Sequence, residues 1–180
     1  MSLISQIKAR IRGEKTISDL EKLGFSHGRN LHVQQDCIID PGHCMLISVG
    51  DDVTLAPRVH ILAHDASTKI PLGYTKIAPV TVGNRVFIGA GTVVLPGVCI
   101  GDDVIVGAGS VVTKSLASGY VYAGNPARPL MSMAEYTSKE TERMEKLPVF
   151  DSRYRIDCAG VKLLEELREA VCNAGGGFIE

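Results

Sequence analysis

The stretch Val80–Lys114, VTVGNRVFIGAGTVVLPGVCIGDDVIVGAGSVVTK, repeats one pattern every six residues. An aliphatic anchor recurs at Val82, Ile88, Val94, Ile100, Val106 and Val112, and glycine follows it directly at Gly83, Gly89, Gly101 and Gly107. Four places after successive anchors stand Val86, Thr92, Val98, Val104 and Ser110, all small or β-branched. A period of six fits neither a 3.6-residue helix nor a simple hairpin sheet. It fits a solenoid in which each hexad is a short strand plus a turn and three hexads close a triangular coil. The anchors then stack inward, coil on coil. β-Branched residues suit the pleated walls, and glycine supplies backbone angles that a Cβ would forbid at the corners.

Working outward, the same frame runs earlier through Leu31, Cys37, Val49, Leu55 and Ile61, with Val53 and Val59 four places on. His43 occupies an anchor position and breaks the aliphatic rule. Between Ile61 and Val82 the frame fails, and nine residues, Ser67–Thr75 (STKIPLGYT), are left over. They follow directly on HILAHDA and are expected to leave the coil as an external loop, where function commonly sits. Leu3, Ile7 and Ile11 give Ser2–Arg12 helical spacing, and a short turn is expected over Thr16–Leu23. After Arg128 the repeat stops. Ser132–Lys146 reads as an exposed helix and Val161–Val171 as an amphipathic one, with a tail fraying from Gly175. These ends are expected to cap the solenoid or pack on neighbours.

Composition narrows the classes. The 180 residues include 19 Lys and Arg against 20 Asp and Glu, so no broad basic field invites nucleic acid. Aromatic residues make up 5% and Trp is absent, which suits many short elements filled by aliphatic side chains. No apolar run suggests a signal peptide or a membrane span. Cys37, Cys44, Cys99, Cys158 and Cys172 are scattered without a CxxC pair and read as reduced, mostly packing thiols in a cytoplasmic protein. There is no GxxxxGK phosphate loop, and no Ser-His-Asp arrangement can be assembled.

Leu31–Arg128 resembles the hexapeptide-repeat acyltransferases, and most closely the maltose and galactoside O-acetyltransferases. The residues carrying the resemblance are VTLAPRVHILAHD (Val53–Asp65), Val80–Lys114 as quoted, and AGNPAR (Ala123–Arg128). The resemblance implies a mainly β fold: a left-handed parallel β-helix with an external loop and flanking helices. It divides the chain into an N-terminal helical segment (1–30), the β-helix acyltransferase domain (31–130, loop 67–75) and a C-terminal helical extension (131–180). It also implies a homotrimer with active sites between subunits and acetyl-CoA as the acyl donor, with no metal expected.

By the same resemblance His64 is the general base. A hydroxyl is a poor nucleophile while protonated, and imidazole titrates near neutrality. Asp65 either orients that imidazole or braces the loop. His43 is either buried and hydrogen-bonded or marks a bulge that reaches the acceptor. Gln34 stands where the sugar acetyltransferases use an Asn, and two extra residues fall around Asp40–His43. Gln34, Asp40, His43 and Asp65 are therefore the acceptor-side candidates, on a pocket reshaped relative to the family. On the donor side Ala90 and Ala108 match positions that contact the pantetheine arm. Thr113 and Lys114 match a Thr-Lys pair near the far end of the cofactor, and Arg128 matches an Arg that contacts the nucleotide. A second family Arg is Met131 here.

The leading expectation is acetyl transfer to a hydroxyl of a sugar or glycan precursor through a ternary complex. A serine or amine acceptor fits the same chemistry. A γ-carbonic-anhydrase-like zinc enzyme would need three His ligands, for which His43, His60 and His64 are available at unsuitable spacing. A non-catalytic trimeric scaffold is the remaining class.

Overall fold

A computed structural model describes residues 15–180, and the helix expected over Ser2–Arg12 falls outside them. The described chain divides after Met133 into two compact units. The first begins with a short helix, Ile17–Lys22. Its N-cap Thr16 accepts from the Asp19 N–H while the Asp19 carboxylate accepts from the Thr16 N–H, a reciprocal cap that satisfies two otherwise orphaned donors.

The coil follows. Strands β1 (Ser26–His27), β2 (His32–Val33) and β3 (Ile38–Ile39) make its first turn, and β4 (Ile47–Val49), β5 (Thr54–Leu55) and β6 (His60–Ile61) the second. A hairpin of β7 (His64–Asp65) and β8 (Lys76–Ile77) then departs and returns. β9 (Val80–Val82), β10 (Phe87–Ile88) and β11 (Val93–Val94) make the third turn, and β12 (Cys99–Ile100), β13 (Ile105–Val106) and β14 (Val111–Val112) the fourth. β15 (Tyr120–Ala123) continues the stack and β16 (Arg128–Ser132) folds back antiparallel on it. The strands stack as three parallel faces: β1-β4-β9-β12, β2-β5-β10-β13-β15 and β3-β6-β11-β14.

The anchors from Val49 onward point inward as the period requires. Leu55, Ile61, Ile88, Val94, Val106 and Val112 are completely buried, as are Val53, Val59 and Val104 from the position four places on. Thr92 and Ser110 occupy that second position too, and both donate to the Gly107 carbonyl, which removes the cost of burying a hydroxyl.

The first turn departs from the expected frame. Val33 and Ile39, not Leu31 and Cys37, pair with the anchors Leu55 and Ile61. Apolar side chains stand at both positions, two apart (Leu31 and Val33, Cys37 and Ile39), so the pattern there fits two registers. Counted correctly, the anchors Ile39 and Val49 are ten residues apart instead of six. The surplus forms the turn Asp40–Leu46, closed by a 3-10 turn over Cys44–Leu46, and His43 belongs to this turn rather than to the anchor row.

The glycines also play a different part from the expected one. Left-handed backbone falls at stacked corners, on Asn30, Asp52, Arg85 and Asp103 along one edge and on Asp36, Arg58, Gly91 and Gly109 along another. From the second turn on, each of these corners hands an N–H to the coil below, as Arg85 does to Asp51 and Gly109 to Ala90. Gly89, directly after its anchor, is needed for closeness: a Cβ there would lie 2.5 Å from the Ala108 nitrogen.

In the second unit, helices Met133–Met144 and Val161–Ala174 match the expected segments. The tail does not fray as expected. β18 (Phe178–Ile179) pairs in parallel with β17 (Val149–Phe150), because the Phe178 and Glu180 N–H groups bond the carbonyls of Pro148 and Phe150. All five cysteines are free, but Cys99, Cys158 and Cys172 are exposed rather than packed. Among the described residues, no helix is long and apolar enough to cross a membrane.

Candidate active site

The ten-residue spacing in the first turn and the hairpin in the second bring three side chains together. Asp40 begins the turn after β3, His43 follows within it, and His64 opens β7 as the chain leaves the coil. The stacking of β3 under β6 sets Asp40 beside the start of that hairpin.

Asp40 is 1% exposed, and its carboxylate is filled with donors. Oδ2 accepts from the Ala63 N–H at 3.0 Å and contacts His64 Nδ1, while Oδ1 accepts from the N–H groups of Gly42 (3.1 Å) and His43 (3.3 Å). Burial alone pushes this carboxyl up. The bond from His64, the backbone donors and the charge on His64 outweigh it and hold the carboxyl below its ordinary value. An ionised carboxylate only accepts, so the shared proton belongs on His64 Nδ1 and leaves Nε2 as the basic nitrogen.

His43 stacks on His64 with ring centroids 4.8 Å apart. Its Nδ1 is buried and has no hydrogen-bond partner among the described residues. It lies 3.9 Å from Asp40 Oδ1, beyond hydrogen-bonding range.

Asp65 faces away from this cluster. It caps the 3-10 turn Ala66–Thr68 by accepting from the Ser67 N–H at 2.8 Å and pairs with Lys76 at 2.6 Å across the hairpin. Lys76, with help from Ser67, pulls its carboxyl down to about 2. Neighbouring strand residues point to opposite sides, so the carboxylate on His64 comes from Asp40 and the one next in sequence braces the loop. Sequence reasoning placed Asp40 only on the acceptor side. Pairing it with His64 requires the corrected register of the first turn.

The hairpin encloses a 3-10 turn, Ala66–Thr68, and a single helical turn, Lys69–Leu72, ended by Gly73 in left-handed conformation. Ile70 is 97% exposed, and Leu72, Tyr74 and Ile77 are exposed as well.

Gln34 lines a different hollow, with Ile17, His27 and His32 at the start of the coil. Of the residues expected to hold the donor, Ala90 and Ala108 are exposed and stacked one coil apart at the same corner, linked by the Gly109 N–H to the Ala90 carbonyl. Thr113 and Lys114 follow β14 on the surface. Arg128 opens β16, its guanidinium exposed and bonded to the Ala127 carbonyl at 3.1 Å. Of the histidines weighed for a three-histidine zinc site, His43 and His64 meet. His60 lies on β6 outside the cluster, and Asp40 is the third member.

Residues 79–114 match the family model for the bacterial transferase hexapeptide, six repeats. That match covers the third and fourth turns of the coil. Galactoside O-acetyltransferase of Escherichia coli K12 is 36% identical over 117 residues, covering 58% of this chain and 55% of that protein. The hexapeptide coil is also similar to the crystal structure of a maltose O-acetyltransferase from Clostridium difficile 630. That likeness has 40% identity and a TM-score of 0.52, over 59% of this chain and 57% of the other. A galactoside acetyltransferase in complex with coenzyme A is similar at 25% identity and a TM-score of 0.55, over 76% of each chain. The likeness carries the expected left-handed coil. The chain spans about 60% or less of the length of the curated relatives it matches first.

Proposed function

We propose that this protein is an acetyl-CoA-dependent O-acetyltransferase whose acceptor is a hydroxyl of a sugar or glycan precursor, with His64 as general base. The observation that carries the reading is the buried carboxylate of Asp40 on His64 Nδ1, at the foot of the hairpin. A surface histidine in a structural role needs no such partner. An imidazole that must offer Nε2 to a hydroxyl does, because the carboxylate fixes both tautomer and ring orientation. The same charge stabilises the imidazolium formed when the proton arrives.

Acetyl-CoA supplies the thioester. His64 Nε2 takes the hydroxyl proton as the acceptor oxygen bonds to the acetyl carbonyl carbon. It returns the proton to the departing thiolate as the carbon–sulfur bond breaks. Asp40 stays ionised throughout and acts as a positioning residue. The exposed corner of Ala90 and Ala108 would let an extended pantetheine arm lie against the coil, and a backbone N–H there, that of Ala90 for instance, would be a donor for the developing oxyanion. Thr113, Lys114 and Arg128, exposed beyond β14 and on β16, would hold the nucleotide end, as the resemblance implies. Arg128 offers a planar guanidinium for phosphate or adenine.

A homotrimer completes this reading. The apolar side chains on the hairpin, with Ile38 and Phe87 partly exposed on the coil walls, would face water in a single chain. Packed around a three-fold axis, each hairpin would cover a neighbour's coil and close three equal clefts. The solved relatives named for galactoside and maltose support the sugar acceptor.

The test is steady-state kinetics with acetyl-CoA and a panel of sugar, amino-alcohol and amine acceptors, reading the released thiol. Acceptor-dependent release is expected, with kcat in His64→Ala lower by roughly 10²–10⁴-fold, the usual contribution of a general base. CoA binding should be unchanged. Transfer within about threefold of wild type, far short of that contribution, would remove His64 from the role, and no release with any acceptor would overturn the whole reading.

A further inference from the structure

We propose that Asp40, His43 and His64 form a binding site for a divalent transition-metal ion of the zinc class, and that the ion acts as an inhibitor rather than a resident cofactor. Each residue offers one ligand atom, and the three atoms lie within 4.8 Å of one another. Two imidazoles and a carboxylate are a donor set that binds Zn²⁺ and its neighbours in the first transition row.

The decisive detail is His43. A buried polar atom without a partner is rare in a native protein and points to a water or an ion that satisfies it. His43 Nδ1 is such an atom, aimed at the one carboxylate of the cluster and too far from it for a hydrogen bond. Nothing in the transfer reaction uses that nitrogen. An ion between the three residues would satisfy it directly.

The surroundings are suited to hold one. Asp40 is fixed by three backbone N–H groups and needs no reorganisation to present its charge. His43 and His64 are half-buried, so the fourth position stays open to water. Metal–nitrogen bonds of about 2.0–2.1 Å require ligand atoms closer than the widest separation here. His43 must therefore move inward, and the His64–Asp40 contact must open to admit the ion in place of the shared proton. Adjacent imidazole rings on a short turn and a hairpin allow both by side-chain rotation.

Occupancy would tie up the dyad that prepares Nε2, so transfer should stop. This consequence rests on the reading of His64 as the base. The binding does not. Binding is therefore measured on the full chain without acetyl-CoA or acceptor, after chelator treatment, with Zn²⁺ and Co²⁺ as probes. Equilibrium dialysis should give one ion per chain at micromolar concentration, and Co²⁺ should show visible d–d absorption. His43→Ala and His43→Gln should each weaken binding about tenfold or more, roughly the loss expected on removing a ligand or its support, with melting temperature unchanged. Histidine side-chain spectra of the wild type should lose His43 and His64 to Co²⁺ broadening while His27 and His32 stay sharp, which decides the matter if the variants fold poorly. Absence of stoichiometric binding, binding unaltered in folded His43 variants, or an intense thiolate-to-cobalt band placing the ion on cysteines would each overturn the site. A separate assay should show Zn²⁺ suppressing transfer. If no acceptor supports transfer at all, the enzymatic reading fails while the dialysis result stands.

Discussion

His64 Nδ1 rests on Oδ2 of Asp40, a carboxylate removed from solvent and held by the N–H groups of Gly42, His43 and Ala63. The two residues come from successive turns of the coil and meet because β3 stacks on β6. Asp40→Asn keeps the size but replaces the acceptor-only group with an amide. The imidazole then loses the partner that fixes Nδ1 as the donor. We expect kcat to fall by about 10²-fold or more while CoA affinity changes little, since the loss is of transition-state stabilisation. The check is kcat and KM for each substrate alongside calorimetric CoA binding. A fall confined to CoA affinity would remove the positioning role.

Arg128 and Ala108 test the donor edge. Arg128→Ala removes an exposed guanidinium bonded only to the neighbouring Ala127 carbonyl among its described hydrogen bonds. It should leave stability within about 0.5 kcal/mol, as surface changes usually do. CoA affinity should drop about tenfold, which corresponds to about 1.4 kcal/mol. Ala108→Leu should block the donor by bulk at an exposed position. Calorimetric titration with CoA reads both. Unchanged affinity in the pair would move the donor to another edge.

Gly89 tests the stacking of the coils. A methyl group at this position meets the Ala108 nitrogen at 2.5 Å, and that nitrogen belongs to the backbone of the next coil. Gly89→Ala must therefore push two coils apart, at a cost of about 1–3 kcal/mol as for other overpacked sites. Ile88→Ala, one residue earlier, removes a fully buried side chain between Leu55 and Val106 and should cost about 2–5 kcal/mol. Urea unfolding gives both values. Near-neutral substitutions at either site would contradict the stacked register.

These sites also show what the residues themselves could reveal. The coil was legible from Val49 onward because one face of each short strand must be aliphatic, and the six-residue recurrence repeats that demand on both sides of the single break between Ile61 and Val82. The first turn was not, because Leu31 with Val33 and Cys37 with Ile39 satisfy the demand in two registers. The Asp40–His64 contact was hidden by the same ambiguity: only the surplus residues of Asp40–Leu46 bring the carboxylate to the hairpin, and no period predicts where a surplus turn aims its side chains. His64 stood out as a candidate from the loop that follows it and from the resemblance together. Asp65 was legible only as a pair of alternatives, which its contacts with Ser67 and Lys76 now distinguish.

The hairpin supplies the last prediction. Its tip carries Ile70, almost wholly exposed, beside Leu72 and Tyr74, and its base is braced by Asp65 and Lys76. A braced loop that presents apolar side chains is built for a surface that covers them. If that surface is the coil of a second copy, charge at the tip should break the assembly without unfolding the chain. Neither Ile70 nor Leu72 belongs to the buried core, so Ile70→Glu and Leu72→Glu should keep the secondary structure and the coil intact. Sedimentation equilibrium should then give a trimer for the wild type and a lower mass for the double variant. Acetyl transfer should fall with the mass, because each cleft would lose the wall supplied by its neighbour. A wild-type monomer at micromolar concentration would exclude the trimer. A trimeric double variant with full activity would show that the hairpin faces something other than a second copy of this chain.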